Sequence, residues 1–212
     1  MPPVITTRDV PLAGELRVAA GSIVTPLARE LAEERGVTIV EVAAGELSGL
    51  APPDRTVAIG ADHAGYRLKE ALKPVLEEHG YFVRDVGVYE ETPADYPDVA
   101  RQVAELVAAG RAARGIVVDG AGVGSAIAAN KIPGIRAAPC YDKASARASR
   151  EHNDTNVLTL GSRLLTASQA EEVLRTWLTA PFAGGRHSLR IQKISEIEQQ
   201  YRNWTSPNSS ES

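Results

Sequence analysis

Gly115-Ile116-Val117-Val118-Asp119-Gly120-Ala121-Gly122-Val123-Gly124-Ser125 is the stretch that decides the fold. Ile116, Val117 and Val118 form an unbroken run of β-formers, as a strand covered on both faces requires. Gly120, Gly122 and Gly124 allow a sharp turn and leave the loop clear of side chains. Ser125-Ala126-Ile127-Ala128-Ala129-Asn130-Lys131 then brings helix formers. A helix opening from such a loop presents unpaired N–H groups and the positive end of a dipole. That suits an anion, or an oxygen that gains charge during a reaction. Asp119 stands at the strand's carboxyl end, at the lip of the loop. A glycine-rich loop alone also fits an ordinary tight turn, so its meaning depends on the rest of the chain.

The alternation continues on both sides of it. Upstream, Thr56 to Gly60 reads as a first strand, and Tyr66 to Glu78 as a helix with Leu68, Leu72, Val75 and Leu76 on one face. Tyr81 to Val86 is a second strand. Pro97 to Ala109 is a helix burying Val99, Val103, Leu106 and Val107. Downstream, Ile135 to Ala138 and Val157 to Leu160 are the fourth and fifth strands, with helices over Asp142 to Arg150 and Ala167 to Leu178. This order predicts an α/β fold: a doubly wound, Rossmann-like, five-stranded parallel sheet. Ligands of such sheets sit outside the carboxyl ends of the strands. The polar segments at the connections are therefore expected at one crevice.

Composition narrows the partners. The chain has 212 residues, 43% hydrophobic and 24% charged, enough for one such domain and a smaller appendage. Its 23 basic and 27 acidic residues leave a net charge of −4, with no basic excess to offset nucleic-acid phosphates. A small phosphorylated ligand needs only a few arginines. A single cysteine, Cys140, excludes an intrachain disulfide and a cysteine metal cluster. No signal-peptide pattern and no membrane-length apolar run are present, so the expected location is the cytoplasm.

Residues 1–50 read as a separate N-terminal extension. Thr25 is a good N-cap, Pro26 suits a first helical turn, and Gly36 a helix end. Leu27, Leu31 and the stem of Glu34 would share the apolar face. Val37 to Val42 reads as a strand, and Ala44 to Asp54 as a linker before the main domain, residues 55–204. His187 to Trp204 is a C-terminal helix with Leu189, Ile191, Ile194, Ile197 and Tyr201 in a stripe. That stripe needs a surface to cover, on its own domain or on a second subunit. Residues 205–212 have the composition of a disordered tail.

Taken singly, the polar clusters have structural readings. Asp62-His63-Ala64-Gly65 and Asp95-Tyr96-Pro97 fit turns with helix caps. Arg150-Glu151-His152-Asn153-Asp154-Thr155-Asn156 packs seven polar residues before a strand. His79 fits a solvated helix end. Arg186 and Arg190, four apart, fit a solvated face or a phosphate clamp, with Arg163 a third candidate.

Together, these segments resemble the family of ribose-5-phosphate isomerase B, which includes the galactose-6-phosphate isomerase subunits. The matching motifs are Gly60-Ala61-Asp62-His63-Ala64-Gly65, Asp95-Tyr96-Pro97, the glycine loop with Ala128-Ala129-Asn130-Lys131, Gly134 to Ala138, Ser149 to Leu158, and Gly184-Gly185-Arg186-His187. The region from Val57 to Gln199 covers about two-thirds of the chain. The resemblance implies an aldose–ketose isomerase of phosphorylated sugars, with no metal or cofactor, acting as a homodimer or dimer of dimers with sites built across the interface. It implies that His152 opens the sugar ring and that Asn153, Asp62 and Tyr96 hold hydroxyls. His63, Arg163, Arg186 and Arg190 would bind phosphate, the last two from the partner subunit. The N–H groups of Gly120, Ala121, Gly122, Val123 and Gly124 would stabilise an enediolate oxygen.

The sequence departs from that pattern at the base. Many members carry cysteine at the position of Asp119, and another branch uses glutamate at that of Ser125. Ala121 replaces a frequent threonine, and Cys140 does not match the missing cysteine. Three readings stay open. Asp119 is itself the base, since carboxylates serve other sugar-phosphate isomerases and desolvation strengthens them. Alternatively, the chain binds a sugar phosphate without turnover, as a regulatory subunit or beside a paralogous subunit. In the third, the loop suits a different sugar phosphate. The segment from Val24 to Val37 is similar to helical segments on enzymes of bacterial microcompartments, which implies docking to a shell; packing on its own domain or dimer fits equally.

Overall fold

The computed structural model of this chain describes residues 4–5, 7, 10, 15–19, 21–42 and 55–202. The expected linker over 44–54 and tail over 205–212 lie outside them. Nine strands and seven helices occur among the described residues.

In the N-terminal region, β1 (Val4–Ile5) pairs in parallel with β3 (Ile23–Val24), and β2 (Glu15–Ala19) with β4 (Thr38–Val42). Between β3 and β4 lies α1 (Pro26–Glu34), where the Thr25 hydroxyl accepts the N–H of Ala28 at 3.3 Å, as predicted for its cap. The helix is turned differently from the expectation. Leu27 is 65% exposed and Glu34 is exposed, while Ala28 and Ala32 are buried with Leu31 partly so. The face that meets the small core of Val10, Val24 and Val37 lies one residue further round the helix. Small alanines there let the helix approach its strands closely.

The main domain carries β5 (Thr56–Ala61), α2 (Tyr66–Glu78), β6 (Phe82–Asp85), α3 (Tyr96–Ala108), β7 (Arg114–Asp119) and α4 (Val123–Ala129). Then follow β8 (Ala137–Pro139), α5 (Lys143–Asn153), β9 (Val157–Gly161), α6 (Ala167–Thr179) and α7 (Arg186–Tyr201). The sheet order is β6-β5-β7-β9-β8, with every pair parallel. Successive side chains point to opposite faces of a strand. Ile59, Ile116, Val118, Leu158 and Leu160 therefore meet α2, α5 and α6 through Leu72, Leu76, Ala146, Leu174 and Trp177. Ala58 and Val117 meet α3 and α4 through Val99, Val103, Val107 and Ala129. Each fully buried aliphatic side chain contributes about 1.5–3 kcal/mol.

The chain leaves β5 toward one edge and returns at β7 on the other side of β5. The connections after these neighbouring strands lead to helices on opposite faces, which opens a crevice at their carboxyl ends. Asp142, expected as the first helical residue, instead caps α5 in a capping box with Ser145, and Thr166 does the same for α6 with Gln169. On α7, Leu189, Ile194, Ile197 and Tyr201 are between 46% and 65% exposed, so the apolar stripe faces away from its own domain.

Candidate active site

Asp119 ends the central strand β7 and is only 4% exposed. The loop turns through Gly122, whose φ is +80°, straight into α4. This turn brings four donors onto the Asp119 carboxylate. Its Oδ1 accepts the N–H groups of Ala121, at 2.6 Å, and Gly122. Its Oδ2 accepts the Ser125 N–H at 3.1 Å and the Ser125 hydroxyl at 2.5 Å. A carboxylate offers about four lone-pair sites, so these donors fill them. An acidic side chain beside the first turn of a helix is also favoured by the helix dipole. Of the five loop N–H groups expected to face a substrate oxygen, those of Ala121 and Gly122 hold Asp119 itself. Val123 and Gly124 open the helix, where N–H groups have no intrahelical acceptor.

The loop is braced from β9 and beyond. The Thr159 hydroxyl donates to Gly122 O at 2.6 Å, and the Tyr141 hydroxyl to Ala121 O at 3.0 Å. The N–H groups of Ser162 and Arg163 donate to Asp119 O and Gly120 O. Burial pushes the Tyr141 phenol above its ordinary value, and the Asp119 charge adds to this. Ser125, Tyr141 and Thr159 were missed as site residues in the sequence. A capping signal was present, an aspartate just ahead of a helix start; the long-range bonds of Tyr141 and Thr159 left none.

Four further predicted residues join Asp119. Asp62 is buried, and its Oδ1 accepts the Gly65 N–H at 2.9 Å. His63 is exposed, with Nδ1 3.4 Å from the N–H of Ala94. Tyr96 lies over Gly124: a Cβ there would stand 2.6 Å from the phenol ring. A larger residue there would push the ring aside. Arg163 is exposed and lies along Gly120. The Ser162 hydroxyl ties this loop to Ala64 O at 2.9 Å.

His152, Asn153, Arg186 and Arg190 are not brought to this crevice. His152 and Asn153 end α5, which leads into the start of β9. Asn156 O accepts the N–H of Gly115, at the start of β7. Asp119 lies four residue steps beyond Gly115 along β7, about 13 Å at 3.3 Å per residue. The His152 ring stacks on His187, with centroids 4.5 Å apart and planes 13° apart. His187 opens α7 beside Arg186. Burial pushes the His187 imidazole down, helped by His152, Arg186 and Arg190. The physical reason for the correction is polarity of connection. In a parallel sheet, strand-to-helix turns lie at the carboxyl edge and helix-to-strand turns at the amino edge. The segment from Arg150 to Asn156 is of the second kind. Asp154 there adopts a left-handed conformation braced by Arg136 at 3.0 Å and Arg150 at 2.7 Å.

Cys140 follows β8, fully buried against Ser149, and burial pushes its thiol up. It does not stand in for a reactive cysteine. Among the described residues, no three His, Cys, Asp or Glu side chains group closely enough to hold a metal ion.

The model of the family described as ribose/galactose isomerase matches residues 57–194. The chain belongs to this family. Ribose-5-phosphate isomerase B of Escherichia coli is 46% identical over 145 residues, covering 68% of this chain and 97% of that protein. D-erythrulose-4-phosphate isomerase of Pectobacterium atrosepticum is 40% identical over 147 residues, covering 68% and 96%. The solved ribose-5-phosphate isomerase B of Clostridium thermocellum is 49% identical, covers 69% of this chain and 99% of its own, and superposes with a TM-score of 0.68. The family match thus spans the whole five-stranded sheet and starts after the N-terminal unit.

Proposed function

We propose that this protein is an aldose–ketose isomerase acting on ribose 5-phosphate and ribulose 5-phosphate, with Asp119 as its base. The observation that carries this reading is the Asp119 carboxylate at the carboxyl end of the central strand, flanked by Asp62, His63, Tyr96 and Arg163. In the open-chain sugar, Asp119 takes the proton from the carbon beside the carbonyl. The electron pair forms the C1–C2 double bond of a cis-enediolate, the proton returns to the other carbon, and the hydroxyl proton passes between O2 and O1. Asp62 and Tyr96 hold hydroxyls, and His63 and Arg163 face the phosphate.

The remaining groups come from a second copy of the chain. His152 and Asn153 sit at the opposite sheet edge, with Arg186 and Arg190 beside them. A two-fold dimer can set the amino edge of one sheet against the carboxyl edge of its partner. His152 of the partner subunit then opens the sugar ring. The exposed apolar stripe of α7 supports such pairing.

A panel of pentose, tetrose and hexose phosphates tests the reading. Interconversion of ribose 5-phosphate and ribulose 5-phosphate is expected to have the highest kcat/KM. Preference for a tetrose phosphate would keep the reaction class and replace the substrate. A second reading, binding without turnover, is favoured by the four donors that fill the carboxylate. It predicts that ribose 5-phosphate raises Tm while no sugar of the panel is converted.

A further inference from the structure

Asp119 must alternate between carboxylate and carboxylic acid if it moves a proton. Three of its four donors are backbone N–H groups, of Ala121, Gly122 and Ser125. They can only donate, so they suit the charged form alone. Their positions are also fixed. Ala121 and Gly122 are tied through their carbonyls to Tyr141 and Thr159, and the Ser125 N–H belongs to the first turn of α4. The fourth donor, the Ser125 hydroxyl, differs on both counts. Its hydrogen turns about the Cβ–Oγ bond, and its oxygen can accept as well as donate.

We infer that Ser125 is a positioning residue for the proton-transfer step, through its bond to Asp119 Oδ2. Ser125 is 0% exposed, so it does not meet the substrate and acts only through Asp119. In the resting protein its hydroxyl donates to Oδ2. When substrate is bound, rotation of the hydroxyl vacates one lone pair without moving the backbone. After the carbon-bound proton arrives on Oδ2, the same oxygen accepts the new O–H of the acid. Reversal of these moves delivers the proton to the neighbouring carbon. Atoms and electrons balance within the isomerisation, and no further reactant is needed. This role rests on the reading of Asp119 as base in the proposed isomerase.

The test compares steady-state kinetics and Tm of the unsubstituted full-length protein with Ser125→Ala and Ser125→Thr, using ribose 5-phosphate. Ser125→Ala is expected to lower kcat about tenfold, because a misheld base loses near-attack geometry. Its KM should stay within about twofold, since the phosphate contacts are untouched. Ser125→Thr, which keeps the hydroxyl, should recover most of kcat. Turnover by Ser125→Ala equal to the unsubstituted protein overturns the role. So does a loss in Ser125→Ala that appears only as a lower Tm and a higher KM. Absence of turnover in the unsubstituted protein would instead overturn the isomerase reading itself.

Discussion

Replacing Gly65 with alanine is expected to destabilise the fold by about 3 kcal/mol or more, read from a denaturant midpoint. A Cβ at Gly65 would stand 2.1 Å from Val118 O and 2.5 Å from Val118 C. These are backbone atoms of the central strand, which is paired on both sides by β5 and β9. They cannot yield as the end of a flexible side chain would. The φ of Gly65 is −87°, which alanine adopts freely, so the cost is steric contact and not backbone conformation. Relief requires α2 to move off the sheet. Asp62 is bonded to the Gly65 N–H and precedes His63, so both would leave the crevice with it. Folding and turnover should therefore fall together. A loss under about 1 kcal/mol would mean that α2 does not press on β7 as described.

Mixing two inactive variants is expected to restore turnover. One chain carries Asp119→Asn, and the other carries Arg186→Ala with Arg190→Ala. Both arginines are exposed, so their removal leaves the core intact. In a two-fold dimer with shared sites, a mixed pair has one site with every lesion and one with none. Random assortment of equal amounts then gives about a quarter of the unsubstituted activity. Activity no greater than the sum of the separate variants would place all the groups of each site in a single chain.

Why these groups lie at two edges was not legible in the sequence. The strands were legible because β5, β7 and β9 are buried on both faces and read as continuous apolar runs. The cap at Thr25 was legible because capping is local. The gathering of Asp62, His63, Tyr96 and Asp119 followed from the topology of parallel sheets. That rule covers only residues after a strand, and His152 precedes one. The α1 face was misjudged because Leu27 outweighs Ala28 in hydrophobicity, whereas close packing selected the alanines. The donors around the Asp119 carboxylate were not legible for a similar reason. Glycines around a strand end signal an anion cradle, but they do not say which anion occupies it. Here the occupant is the chain's own side chain, reached over two to six residues.

That arrangement leaves the role of Asp119 as the central claim, and hydrogen exchange at carbon tests it most directly. Ribose 5-phosphate is incubated with the protein in deuterated water, and incorporation at C2 is followed by NMR. The unsubstituted protein is expected to place deuterium at C2 at a rate matching isomerisation. Asp119→Asn keeps the shape of the side chain and should slow exchange on the order of 10³-fold, while ribose 5-phosphate still raises its Tm. Exchange at C2 that survives Asp119→Asn at an undiminished rate would contradict the account, because the proton would then be moved by another group.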